Sequence, residues 1–166
     1  MADITFIGKP LHTSGDLPVA GSQAPDFTLV DQELAETTLG DLAGKTCILN
    51  IFPSVDTPVC AVSVRTFNAR AGAMDDVVVI NVSADLPFAQ KRFCGAEGIG
   101  DVRTLSSFRS TFAEDYGVRI VDGPIAGLCA RAVVVVGPAG AVLHTELVPE
   151  IAQEPDYDAA FAACAG

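Results

Sequence analysis

Three short apolar runs constrain this chain more than any other feature: residues 46–52 (TCILNIF), 77–82 (VVVINV) and 132–136 (AVVVV). Each has the length of one strand, and the last two are rich in β-branched side chains. Pro53 stops the first run, and residues 58–70 between the first two read as a helix. A strand–helix–strand unit crosses over right-handed, which sets its helix on one face of a mixed sheet. The chain has 166 residues, so one domain over 1–166 is expected. A domain of this size buries about 70% of its unfolded surface and needs no staples.

The flanking segments complete the pattern. Residues 4–19 (ITFIGKPLHTSGDLPV) read as an N-terminal β-hairpin, with apolar residues alternating around a region rich in Gly, Pro and Ser. Residues 26–30 (DFTLV) form a short strand. Residues 87–94 form a short helix with Pro87 in its first turn and Gly95 ending it. A further helix is expected over 107–116, ended by Gly117. The turn 138–140 (PAG) leads from the third apolar run into a second arm, 141–147, and 158–164 is a closing helix. Strand–helix–strand followed by strand–hairpin–helix is the order of a thioredoxin-like α/β fold, a mixed central sheet flanked by helices. Such a fold does not by itself specify a function.

Charge removes several function classes. With 10 basic and 21 acidic residues the formal net charge is −11, so no basic footprint exists for a nucleic-acid backbone or an anionic membrane surface. No apolar run approaches the roughly 18 residues of a membrane span. Residues 1–10 lack a basic segment followed by an apolar core, so the cytoplasm is the expected compartment. Persistent disulfides are rare there. The five cysteines, Cys47, Cys60, Cys94, Cys129 and Cys164, contain no CxxC pair, and His12 and His144 lie far apart. A structural zinc site is not expected, and nothing suggests haem, flavin, selenium or another cofactor.

The most informative stretch is 50–60, NIFPSVDTPVC. A buried strand delivers the chain to a loop at its carboxyl end, the edge where open α/β sheets bind ligands. Thr57 suits the N-cap and Pro58 the first helical position. Cys60 then falls in the first turn, beside unpaired N–H groups and the positive end of the helix, both of which favour a thiolate. Free cysteines are more often small core hydrophobes. Here Pro53, Thr57 and Cys60 together make the pattern Pro-x-x-x-Thr-x-x-Cys.

That pattern resembles the active-site motif of the peroxiredoxins. The wider stretches NIFPSVDTPVCAVSVRTFN, SADLPFAQKRFCGAEGI and GPIAGLCARAVVVVGPAG are similar to the thiol peroxidase subfamily of atypical two-cysteine peroxiredoxins. The resemblance covers nearly the whole chain. It implies that Cys60 is the peroxidatic nucleophile, that Thr57 places a hydroxyl against the sulfur or the peroxide, that Pro53 shields the sulfur, and that Arg131 brings a positive charge beneath it. It also implies that Cys94 resolves the sulfenic acid within the same chain, that thioredoxin is the reductant, and that the chain forms a homodimer. A disulfide requires Cα atoms within about 7 Å, so a turn of each cysteine's helix is expected to unwind, eased by Gly95, Gly98 and Gly100. Cys47 and Cys129 read as core, and Cys164 as an exposed residue near the C-terminus.

Magnitudes show what such a site must supply. A free thiol is about 3% ionised at pH 7, so complete ionisation gains only about 30-fold. Enzymes accelerate by about 10⁶-fold or more, so positioning and charge stabilisation must contribute most. Two other readings remain at the level of residues. A thioredoxin-type disulfide reductase needs CxxC, and here the earlier position is Thr57. A non-catalytic redox sensor would need the same two cysteines as the enzyme, and multiple turnover separates them.

Overall fold

The computed structural model describes residues 1–165. The first strands, β1 (Asp3–Phe6) and β2 (Lys9–His12), form a separate antiparallel hairpin. Its turn is Ile7–Gly8, both with positive φ (52° and 74°). The Gly/Pro/Ser-rich segment assigned to that turn instead follows β2. The main sheet has seven strands: β3 (Thr28–Val30), β4 (Glu36–Thr38), β5 (Thr46–Ile51), β6 (Val77–Ser83), β7 (Arg103–Ser106), β8 (Ala132–Val136) and β9 (Val142–Leu147). Their spatial order is β4-β3-β7-β6-β5-β8-β9. The pairs β5–β6 and β6–β7 are parallel, while β3–β4, β3–β7, β5–β8 and β8–β9 are antiparallel, giving a mixed sheet.

Two faces of this sheet hold different cores. Ile48, Val79, Val133 and Val135 pack with Phe67 and Ala71 of α1 (Pro58–Ala71) and with Ala160 and Phe161 of α4 (Tyr157–Cys164). The alternate residues Leu49, Ile51, Ile80, Val82, Val134 and Val136 face Phe27, Phe112 and Tyr116. With this period of two and both faces covered, the three apolar runs are buried except for half-buried Val77 and Val78 at the start of β6. The helix α2 (Pro87–Glu97) lies against β7.

Several boundaries differ from the sequence expectation. α2 continues past Gly95 to Glu97, because the left-handed residue that ends it is Gly98 (φ 67°). The helix expected over 107–116 is reduced to α3 (Phe112–Asp115), preceded by turns. Strands β4 and β7 were not anticipated, and neither was the single 3₁₀ turn Leu39–Leu42, capped reciprocally by Thr38 and Asp41. Among the described residues, no helix is long and apolar enough to cross a membrane.

Candidate active site

Leaving β5, the chain passes through buried Phe52 and Pro53 and turns before α1. Asp85, just beyond β6, holds this turn. Its carboxylate accepts from Ser54 Oγ (2.7 Å), the Val55 N–H (2.9 Å) and Ser83 Oγ (2.6 Å). Sequence reasoning missed Asp85. Its signal was an acidic residue directly after an apolar strand, at the sheet edge where ligands bind.

Thr57 occupies the N-cap with extended backbone (φ −99°, ψ 146°), and Pro58 opens the helix. The Thr57 hydroxyl donates to the Ser54 carbonyl at 3.0 Å rather than accepting from a helical N–H. Its proton is thus engaged within the loop, and its oxygen is not hydrogen-bonded to the Cys60 sulfur among the described contacts.

Cys60 lies in the first turn of α1 and is fully buried. Arg131 immediately precedes β8 and shares the α1-facing side of the sheet with Val133 and Val135. Its Nη2 donates to Cys60 Sγ at 3.0 Å, and its Nε donates to the Ile151 carbonyl at 2.7 Å. The buried Nη1 has no hydrogen-bond partner among the described residues. Arg131 is 1% exposed, so a fixed charge sits in a dry site with one donor on the sulfur and another free.

Cys94, on α2, joins Cys60, Phe52, Val55, Val64 and Phe93 in one apolar cluster. Both cysteines are free thiols, and Cys94 Sγ lies 3.4 Å from Thr104 Oγ1 on β7. At the rim, Arg92 of α2 pairs with Asp56 at 3.1 Å, an exposed contact of small energetic weight.

The other cysteines lie in environments hostile to a thiolate. Burial pushes the Cys47 thiol up to about 11 and the Cys129 thiol up to about 12, and it also raises Cys164. Cys164 is half-buried at the end of α4, rather than exposed. A cavity of about 760 Å³ opens elsewhere, between Asp26, Glu36 and Arg109, and includes none of Cys60, Cys94, Thr57 or Arg131.

Known proteins share this fold. The Redoxin family pattern matches residues 19–161. The thiol peroxidases of Mycobacterium bovis and Mycobacterium tuberculosis are each 60% identical over 163 residues, covering 98% of this chain and 98% of the relative. The crystal structure of a peroxiredoxin-like protein from Aquifex aeolicus superposes with a TM-score of 0.93 at 37% identity, covering 98% of this chain and 96% of that one. A thiol peroxidase from Chromobacterium violaceum, at 22% identity and a TM-score of 0.90, shares the fold over 98% of this chain and 95% of its own. With a thiol on the first turn of α1 and a match this complete, the chain belongs to the redoxin family and, within it, to the thiol peroxidases.

Proposed function

We propose that Cys60 reduces hydrogen peroxide and organic hydroperoxides, that Cys94 resolves the product as an intramolecular disulfide, and that thioredoxin recycles it. The observation that supports this most is the Arg131 guanidinium, in contact with Cys60 Sγ through Nη2 and with Nη1 free. The Cys60 thiolate attacks one peroxide oxygen. An S–O bond forms, the O–O bond breaks, and the sulfur is oxidised to sulfenic acid. The departing oxygen leaves as hydroxide or alkoxide and takes up a proton. Nη1 is the donor suited to the charge that develops on that oxygen. Buried Pro53 and Phe52 exclude water from the sulfur, and Thr57 fixes the loop through Ser54.

Resolution follows ordinary sulfur chemistry. Cys94 sulfur attacks the sulfenic sulfur, an S–S bond forms, and the S–O bond breaks with release of water. A dithiol reductant of the thioredoxin type then reopens the disulfide by exchange. Residence in the cytoplasm and association as a homodimer complete the reading, on the strength of the family resemblance.

The test is a steady-state assay with hydrogen peroxide and an alkyl hydroperoxide, driven by thioredoxin, on wild type and Cys60→Ser. Turnover lost entirely in a folded serine variant is the expected result. A variant retaining more than a few per cent of the rate would remove Cys60 from the role. Oxidation without repeated turnover would favour a redox sensor.

A further inference from the structure

Asn50, Asn81 and Thr104 form one row across three neighbouring parallel strands. Asn50 is the register partner of Asn81, and Asn81 that of Thr104. They lie in a layer closed to water, at 0%, 0% and 4% exposure. Each contact fixes the next. Ser63 Oγ donates to the Cys60 carbonyl (2.8 Å), which leaves its oxygen to accept from Asn50 Nδ2 (3.3 Å). Asn50 Nδ2 also donates to Asn81 Oδ1 (2.9 Å), which turns Asn81 Nδ2 toward Thr104 Oγ1 (3.3 Å). The Thr104 hydroxyl, accepting from Asn81, is in turn hydrogen-bonded to Cys94 Sγ at 3.4 Å, a contact in which either atom can donate. One continuous chain of hydrogen bonds therefore runs through the sheet from the Cys60 turn to the Cys94 thiol.

Stability alone does not account for this row. Asn50 Oδ1 is buried without a hydrogen-bond partner among the described residues, so the network is incomplete, and an incomplete buried network is worse for stability than apolar packing. Its two ends fall on the two segments that must rearrange for a disulfide.

We propose that the Asn50–Asn81–Thr104 row is the positioning element of the resolution step. It fastens the Cys60 turn and the Cys94 thiol in their reduced places, and disulfide formation breaks it at both ends. This rests on the assignment of Cys94 as the resolving cysteine. Thr104 and Ser63 are positioning residues and touch no peroxide. Contacts present in the dithiol and lost in the disulfide stabilise the dithiol. The row thereby delays disulfide closure, lengthens the life of the sulfenic acid, and makes the disulfide easier to reduce.

The experiment combines stopped-flow oxidation by one equivalent of hydrogen peroxide with equilibration against dithiothreitol, using wild type, Thr104→Val, Thr104→Ser and Ser63→Ala. Mass spectrometry first identifies the bond in wild type. Thr104→Val should close the Cys60–Cys94 disulfide faster and shift the dithiothreitol equilibrium toward disulfide, each by about 2- to 10-fold, the worth of one hydrogen bond. The peroxide step should not change. Thr104→Ser should restore wild-type behaviour, and Ser63→Ala, loosening the other end, should shift the equilibrium in the same direction. At excess peroxide, Thr104→Val should yield less sulfinic acid, because faster closure shortens the exposure of the sulfenic acid. Closure and equilibrium both unchanged in Thr104→Val, or closure slowed, would overturn the proposal while leaving Cys94 as resolver. A wild-type bond from Cys60 to any other cysteine would overturn both.

Discussion

At the scale of single residues, the site is a sulfur and a charge brought together across 71 positions of sequence. Replacing Arg131 by Met keeps the bulk and removes both the donor on Cys60 Sγ and the free Nη1. We expect the peroxide step to slow by about 10²-fold, the usual loss for one preorganised donor, and iodoacetamide to alkylate Cys60 more slowly at neutral pH. Unchanged values for both would show that the guanidinium is a bystander. The placement of Thr57 at the N-cap and Cys60 in the first turn was legible because local turn chemistry sets it, while the roles expected of Thr57 and Pro53 came from the family resemblance. The contacts of Arg131 were not legible, since a charge ahead of a strand has no local signature, and only the family resemblance singled it out. Asn50 and Asn81 were missed for the same reason. A polar residue inside an apolar run has meaning only once its cross-strand neighbours are known. The hydroxyl of Thr57 shows the converse: the motif located it, while the structure gives its proton to Ser54.

At the scale of elements, local patterns located the long strands and helices and failed on the short ones. β7 (RTLS) and β4 (ETT) lack apolar runs, and they exist because neighbouring strands offer them hydrogen bonds. Residues 107–116 have helical composition, yet the turn at 108–109, closed by the Ser110 N–H on the Ser107 carbonyl, and the bend at 110–111 consume the first half. The end of that segment is set by contact. Gly117 has φ +70°, and a Cβ there would stand 2.3 Å from the Asp16 carbonyl oxygen. Gly117→Ala should therefore cost about 2 kcal/mol or more in urea unfolding, since backbone has to move. A loss under about 0.5 kcal/mol would mean that the 16–17 segment yields freely.

The N-terminal hairpin is held by two clasps with opposite pH dependence. Glu150 accepts from the Thr5 hydroxyl and from the N–H groups of Ile7 (2.8 Å) and Gly8 (3.2 Å). These bonds, the Thr5 hydroxyl foremost, lower its carboxyl from 4.5 to about 2. That clasp is complete above pH 4.5 and is lost as pH falls toward 2. His12 is raised above 6.5 by its hydrogen bond to Asp122, so its clasp is complete below pH 6.5 and is lost as pH rises through the raised value. Between pH 4.5 and 6.5 both hold. Amide exchange at Thr5 and Ile151, corrected for the intrinsic rate, should show its greatest protection in that window. Equal protection on either side would refute the assignment.

At the scale of the whole molecule, sheet order was the least legible property. Composition and run length implied a mixed sheet, but nothing local states that β7 lies between β3 and β6. The same long-range closure reaches the chemistry. Thr5 of the hairpin accepts from the Ile151 N–H at 2.9 Å, and the Ile151 carbonyl holds Arg131 Nε. The first strand therefore buttresses the guanidinium from behind. Deleting residues 1–14 should slow the peroxide step well beyond any change in circular dichroism, and a fully active truncated chain would show that Arg131 needs no such support.

This buttress also orders events in time. A chain emerging from synthesis displays Cys60 long before residues 131 and 151 exist, and the hairpin's clasp on Glu150 spans 145 positions. Until both ends have folded together, the nascent thiol lacks its cation and is an ordinary slow reductant. Reactivity toward peroxide should then appear only with the last phase of refolding, after most secondary structure has returned. On the proposed role of Arg131, the enzyme would arm itself only on completion, and its unfinished chains would be spared oxidation at Cys60.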